Sequence, residues 1–476
     1  MNISLIIVII YIFILFSISF IARKKASKGG ESYTLAGRNL TTPLVTCSLV
    51  GLAIGGASTI GVAEQAYSVG LSAGWYNVAW GLGAIVMGVV LAGRYREFNV
   101  STVPELFGRF YDRKSRVICV ICQIVINLVV VSLQYIAGGA ILSSLLPNVF
   151  TLKTGMIVSA CVFISITFIG GMWSAGLCNL FNVPLKYMGV ILCTILAVAS
   201  RGGIQNLSLQ LPHNVPYFSF IKGTGFWVIL SWILVMTTQA MSMQGPVQLT
   251  FASKDAKTAR NGFIIGGLLM IPIGFLCALI GMAARTAFPG VPATLALPKM
   301  ILSLNPLIAG LTLAALWAAD VSSACSILLG SATLFSQDVY KQFINPNADD
   351  KNLLVINKLC VCILGIITFA LALSMGGILK AISIGLSLST AFTITFLFTI
   401  FLPKLCRKNS AFFTTLVGIV VLFLWQLVPA VRIFPHVIFM EWIACLSTFL
   451  LVSILDKEGL KYMNKASNSS LLSELD

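Results

Sequence analysis

Charge is what this chain has least of. Only 10% of its 476 residues are charged, with 15 acidic side chains and two histidines, His213 and His436. A soluble domain carries about 25% charged residues. The shortfall excludes a disordered chain. It also argues against a soluble enzyme, because so much apolar surface has no single core to hide in. The two histidines fall in segments read as outer ends, where they support neither a metal cluster nor a Ser/His/Asp arrangement. The 12 cysteines lie mainly in apolar runs rather than in a disulfide framework. Cys119 and Cys122 form a C-x-x-C inside VICVICQIVIN, where small buried packing thiols are favoured over a redox or zinc site.

What the chain has in excess is apolar residues, at 58%, with a mean hydropathy of +0.97. This is the composition of an all-α polytopic membrane protein, at about 20 apolar residues per span. Residues 2–21 are an uninterrupted apolar run followed by Arg23, Lys24, Lys25 and Lys28. A signal peptide has the reverse order of charge and apolar stretch, so this segment is predicted to be a retained helix. Apolar runs recur near 40–66, 75–95, 117–146, 154–172, 176–200, 225–250, 261–285, 305–335, 353–374, 378–402, 411–430 and 434–455. Together they predict about thirteen spans.

The formal net charge of +16 has two possible sources. Nucleic-acid binding needs a contiguous basic face, whereas membrane topology puts Lys and Arg in every second loop. Basic residues cluster at Arg23–Arg38, Arg94–Arg116, Lys254–Arg260, Lys341–Lys358, Lys404–Lys408 and Lys457–Lys465. Far fewer fall in the alternate segments, namely Lys153, Arg201, Lys222, Arg285, Lys299, Lys380 and Arg432, and Lys186 alone lies inside a span. This pattern predicts a multi-pass protein of the inner or plasma membrane, with the N-terminus outside and the C-terminus cytoplasmic. It leaves no nucleic-acid partner and indicates no obligatory protein partner beyond the bilayer. No soluble domain fits: 201–224 reads as an extracellular loop, and 286–304 as a turn followed by a short external helix.

Two spans are interrupted. The second holds GLAIGGAST, residues 51–59, and the seventh holds SMQGPVQ, residues 242–248, where Gly245-Pro246 disfavours helix. Matched breaks five spans apart point to an inverted-repeat transporter, in which unwound backbone offers carbonyls to ions and substrate near the midplane. Close packing through small residues is the other reading of such segments. The ninth span reads GLTLAALWAADVSSACSILLGSATLFSQDVYK, with Ser322 and Ser323 deep inside. Their hydroxyls and the Ala319 carbonyl gather on one side of the helix and suit a monovalent hard cation. Alternatively the serines bond back to the preceding turn.

These segments, with SYTLAGRNL, VPELFGRFYDRKSR, LQYIAGGAIL, ITFIGGMWSA, FASKDAKTAR and IGMAARTAFPGV, resemble the solute:sodium symporter family, relatives of the sodium/proline, sodium/pantothenate and sodium/galactose transporters. The likeness spans roughly residues 30–405. It implies a LeuT-type 5+5 inverted repeat with one extra N-terminal helix and two extra C-terminal helices. The segments are then 1–39 (extra helix and basic loop), 40–200 (first repeat), 201–224 (loop), 225–405 (second repeat), 406–456 (two helices) and 457–476 (tail). It further implies sodium as the coupling ion, bound by the carbonyls of Gly51, Ile54 and Ala319 and the hydroxyls of Ser322 and Ser323. Where the family has Asp and Gln in the sixth span, this chain has Asn179 and Asn182. That departure argues for a single sodium and leaves Asn179 and Ser326 as a second polar site.

Lys186 and Asp320 are charges inside spans, each costing about 2.5–3.5 kcal/mol at a helix centre. They are expected to pair beside the ion path. The pair either stabilises the bundle, or sodium or a proton competes for Asp320, or the Lys186 ammonium stands in for a sodium. Glu64 is placed at an outer helix end and Glu441 near an outer interface. The solute pocket is expected at Ser58, Thr59, Tyr76, Trp80, Gln134, Gln239 and Gln244, while Gln123 and Asn127 read as interhelical bonds rather than pocket. No arginine occupies these positions, which favours a neutral, zwitterionic or polar organic solute. The reading is sodium-coupled symport of a small organic solute (amino acid, vitamin, carboxylate or sugar-like) by alternating access. A proton-coupled or sodium-independent carrier using Lys186 and Asp320 is the alternative. A sensor of this lineage carries a fused signalling domain, for which 456–476 is too short. An enzyme is not expected, because nothing supplies convergent acid, base or metal groups.

Overall fold

The computed structural model describes residues 3–373 and 386–456. The first stretch of chain forms α1 (Ile3–Ala26), α2 (Gly30–Leu35), α3 (Thr42–Ala53), α4 (Val62–Val69), α5 (Trp75–Val90), α6 (Ala92–Glu97), α7 (Val103–Phe110), α8 (Arg113–Leu145), α9 (Leu152–Ala199) and α10 (Gly203–Gln210). Then follow α11 (Phe226–Ser242), α12 (Gln244–Ala252), α13 (Ala256–Ala287), α14 (Ala296–Leu302), α15 (Pro306–Leu334), α16 (Asp350–Ala372), α17 (Ser389–Phe401), α18 (Ser410–Leu427) and α19 (Val437–Leu455).

The helix starts follow local chemistry. Asp112, Thr151, Asp255 and Asp349 cap α8, α9, α13 and α16, each accepting a hydrogen bond from the amide three residues on. Prolines stand in the first turn of α3, α7 and α15, where no intrahelical N–H partner is needed. Asp255 is fully exposed, and the amide and hydroxyl of Thr258 hold its carboxylate below the usual range.

Among the described residues, nine helices are long and apolar enough to cross a membrane, or ten if the pair α11 and α12, bent by 44°, is one span. The long α9, of 48 residues, covers both spans expected at 154–172 and 176–200, and its two parts meet at Gly171, where the backbone leaves helical geometry. Gly171 has φ +49, and a Cβ there would stand 2.4 Å from the Tyr33 carbonyl oxygen, so both conformation and space call for glycine. The second and seventh expected spans are each split into short halves. Part of the span expected at 378–402, together with Lys380, lies outside the described residues, as do Lys457, Lys461, Lys465 and the tail. Segment 201–224 is not all loop, because α10 occupies 203–210. The short helix expected in 286–304 is α14.

The bundle is built around α15, whose most apolar window is 94% buried, against 28% for α1. It packs against α1, α3, α8, α9 and α16, while α13 packs on α3, α4, α5 and α9. Several of the basic segments meet at one end. Arg38 donates to the carbonyls of Val100 and Phe251, Arg96 to that of Ser253, and the Arg116 guanidinium holds buried Asp338 at 2.6 Å. Burial lowers the Arg96 pKa, helped by nearby Arg38. There Leu40 also bridges Ala252 and Lys254 through its backbone. At the other end Leu71 donates to the Tyr217 carbonyl and the Trp75 indole to that of Phe220.

Candidate cation and solute site

The first break lies between α3 and α4. Helical geometry stops at Ile54 (φ −98, ψ 80) and resumes as one wide turn over Ala57–Gly61. Ser58 N–H bonds to Gly55 O, so the Ile54 carbonyl has no intrahelical donor. Gly55 and Gly56 are required by close approach. A Cβ on Gly55 would stand 2.6 Å from Ser323 Oγ and 2.7 Å from Gln134 Oε1, and one on Gly56 would stand 2.4 Å from Ala137 Cβ.

Across this break lies α15. Ser323 Oγ donates to the Gly51 carbonyl at 2.8 Å. Ser322 Oγ donates to the Ala318 carbonyl and accepts from Asn182 Nδ2, both at 2.9 Å. Asn182 is held in turn by the Tyr11 hydroxyl at 2.6 Å. All five residues expected at the sodium site are buried, and Gly51 and Ser323 are in direct contact. Asn179 lies against Gly51, where a Cβ would stand about 2.5 Å from its amide carbon, and neither amide atom of Asn179 has a hydrogen-bond partner. Ser326 does not join Asn179, because its hydroxyl is spent on the Ser322 carbonyl.

The expected Lys186–Asp320 ion pair does not form. Ion pairs form elsewhere, at Arg38–Glu31, Arg109–Glu105 and Arg116–Asp338. Lys186 Nζ donates instead to the Ile54 carbonyl at 2.6 Å. The break frees that oxygen, and it is an acceptor already at hand for the ammonium. Asp320 is fully buried beside Gly56, with Oδ1 3.0 Å from where a Cβ would stand, and neither carboxylate oxygen accepts a hydrogen bond.

The second break falls at Met243 (φ −82, ψ 142), two residues before the expected Gly245. Pro246 therefore sits in the first turn of α12, where its missing N–H costs nothing. Gln123 of α8 spans the break: Nε2 donates to the Ser242 carbonyl at 2.7 Å and Oε1 accepts from Gln244 N at 2.9 Å. The interhelical reading of Gln123 holds.

The expected solute residues divide. Gln239 lines a small cleft of about 10 Å³, room for one water, with Leu52, Asn127, Met243 and Gly245. Its Oε1 and the Nδ2 of Asn127 have no partner, so Asn127 belongs to the cavity and not to an interhelical bond. Tyr76 is buried edge-on against Trp232, ring centroids 5.7 Å apart, and Trp80 is buried nearby on α5. Gln134 Oε1 accepts from Gly56 N at 3.3 Å. Ser58 and Thr59 turn their hydroxyls back to the carbonyls of Ala53 and Gly55. Gln244 is drawn away: its side chain accepts from Val103 N and donates to the Ser101 carbonyl and Gln248. Sequence reasoning missed Asn77, whose Nδ2 donates to the Ser58 carbonyl and whose Oδ1 has no partner. A polar side chain amid the apolar residues of α5 was the signal available.

Glu441 is buried and accepts from Ser387 Oγ at 3.0 Å. Glu64 is half-buried and His213 exposed. His436 caps α19 by accepting from Ile438 N, and burial lowers its pKa to about 4. Cys119 and Cys122 are free buried thiols, and no metal-binding group of His, Cys, Asp or Glu occurs among the described residues.

Comparison with known proteins bears on this arrangement. The profile described as the sodium:solute symporter family matches residues 33–418. The sodium/proline symporter of Escherichia coli (strain K12) is 26% identical over 441 residues, 88% of this chain and 86% of its own. The sodium/glucose cotransporter of Vibrio parahaemolyticus is 25% identical over 395 residues, 75% of this chain and 72% of its own. The solved structure of a substrate-bound, outward-open Na+-coupled sialic acid symporter superposes with a TM-score of 0.80 at 17% identity, covering 96% of this chain and 98% of that one. A nucleobase-cation-symport-1 family transporter superposes with a TM-score of 0.63 at 14% identity, over 92% and 94%. These likenesses show the LeuT-like fold.

Proposed function

The chain belongs to the sodium:solute symporter family, and from that premise we propose that it couples entry of one sodium ion to uptake of a small polar organic solute by alternating access. It is a transporter, not an enzyme. The observation that carries the reading is the contact of α15 with the first break, where Ser323 Oγ meets the Gly51 carbonyl at 2.8 Å. The carbonyls of Gly51, Ile54 and Ala319 and the hydroxyls of Ser322 and Ser323 are the ligands we assign to sodium. The Asn179 amide, buried at Gly51 without a partner, supplies a further neutral oxygen beside them. Such a set suits a monovalent cation, whose single charge needs no carboxylate to balance it. Sodium bridging α3 to α15 would favour one arrangement of the two helices over the other, which is the differential contact that a population shift requires. The membrane field adds about 2.3 kcal/mol per charge per 100 mV.

The solute is assigned to the region between the two breaks, at Asn127 and Gln239, with Tyr76, Trp80, Asn77 and Gln134 as further contacts of the reading; the cleft there would have to widen to admit it. Amides and ring faces without an arginine suit a neutral or zwitterionic molecule. The relatives named above act on proline and glucose, which lie in that range. The thirteen spans, the 5+5 repeat over 40–200 and 225–405, the outside N-terminus and the cytoplasmic C-terminus complete the reading. The meeting of several basic segments at one end of the bundle supports it.

Binding of radiolabelled sodium to the purified chain tests the site. Ser322→Ala with Ser323→Ala is expected to raise the half-saturating sodium concentration about tenfold or more. Unchanged binding would remove the site. One observation favours a second reading, a sodium-independent carrier: an ammonium already stands on one of the assigned carbonyls.

A further inference from the structure

We propose that Lys186 is an internal competitor of sodium. In the sodium-free state its ammonium fills sodium's place on the Ile54 carbonyl, and when sodium binds it moves to the Asp320 carboxylate. This rests on the assignment of sodium to the first break.

The geometry supplies both seats. Lys186 is fully buried, and its hydrogen bond is to Ile54 O at 2.6 Å. An ammonium has three donors, and this one is directed at an oxygen that the break has stripped of its helical N–H. Sodium bound at Gly51, Ile54 and Ser323 would need the same oxygen. Two cations sharing one carbonyl in a dry interior repel strongly, so only one can hold it. The displaced ammonium has a destination. Asp320 is fully buried with both oxygens unpartnered, and it flanks the same break, beside Gly56, two residues on from Ile54. A buried carboxylate without a hydrogen bond is costly. Its retention here is explained if it receives the ammonium in another step of the cycle.

Charge balance agrees. Lys186 and Asp320 cancel, so one sodium adds one net charge to the site, whichever seat the ammonium takes. The device also gives the empty carrier a way to keep α3 tied to α9 when no sodium is present.

The test is a double-mutant cycle on the purified full-length chain, read by saturation binding of radiolabelled sodium. Lys186→Met keeps the length of the side chain and removes its charge. It is expected to lower the half-saturating sodium concentration about tenfold, the worth of one charge-assisted hydrogen bond. Asp320→Asn alone should raise it by a similar factor, because the ammonium then has nowhere to go. In the Lys186→Met background, Asp320→Asn should have little further effect. Lys186→Arg should stay near the wild type. Lys186→Gln repeats the neutral arm if the methionine variant does not fold, and Asp320→Asn tests the idea with the lysine intact.

Equal sodium affinity in the wild type and both neutral variants would overturn the proposal while leaving the sodium site in place. An equal Asp320→Asn effect in both lysine backgrounds would also overturn it, since that is the signature of a direct sodium ligand. Absence of binding in the wild type with binding in Lys186→Met would support the competition and instead remove sodium coupling.

Discussion

Ile54 and Met243 mark the two places where a span leaves helical geometry, and their freed backbone groups find different kinds of partner. At Met243 a single side chain from α8 closes the gap. Gln123 takes the last carbonyl of α11 with its NH2 and the first amide of α12 with its oxygen. The hydroxyls of Ser389 and Thr393 knit α17 to α11 around the same point, through Thr238 and Ser242. At Ile54 the freed carbonyls are held by groups that can leave: a serine hydroxyl that can rotate and a lysine ammonium on a flexible stem. Polar atoms with no partner stand around them, on Asn179 and Asp320, as they also do beside Met243, on Asn127 and Gln239. The backbone of one break is closed by a single amide side chain, and that of the other is held by exchangeable groups. That difference supports our assignment of the ion to the first break.

The comparison can be broken most directly at Gln123. Gln123→Leu would leave a buried carbonyl and a buried amide unsatisfied, at about 1–3 kcal/mol each. We expect a large fall in unfolding temperature in detergent, with sodium affinity nearly unchanged in the protein that remains folded. A sodium effect as large as that of the paired serine variant would mean that the two breaks are not distinct.

Next in size is Gly51→Ala. The added methyl meets Asn179 at about 2.5 Å, an overpacking worth about 1–3 kcal/mol, and it should weaken sodium binding as well as stability. Its counterpart, Gly245→Ala, meets only the end of the Leu52 side chain at 3.0 Å. There the gain in helix propensity, up to about 1 kcal/mol, offsets the crowding, and thermal stability should barely change. Equal losses in the two variants would erase the distinction.

The smallest effect belongs to His436, remote from both breaks. Its folded pKa, about 4, is below the ordinary 6.5. The neutral form is favoured in the fold, so stability is full above pH 6.5 and falls as pH drops through about 4. His436→Asn keeps a cap and should flatten that slope in a pH series of melting curves, leaving sodium binding untouched.

Much of this was legible in the chain. Apolar run length marked the membrane class, and charge clustering marked which segments share an end, as the Arg38, Arg96 and Arg116 contacts bear out. The two breaks were visible from glycine and proline, although the second fell at Met243 because proline is tolerated in a first turn. Gln123 was rightly read as interhelical, but Asn127, one turn on, faces the cavity. Gln244 went the other way, drawn to the backbone at Ser101 and Val103. Spacing along one helix says which side chains share a face and nothing about what that face meets.

Sequence by itself determined the class, the helical segments, the family and the residues from which an ion site could be drawn. Span length, charge alternation and broken helix are properties of neighbouring residues, which is why they can be read without a fold. Tertiary structure decided the pairings. A buried lysine and a buried aspartate suggest a salt bridge when only composition is known. The packing of α9 against the opened end of α3 brings the lysine to a backbone oxygen instead, and leaves the aspartate outside any ion pair.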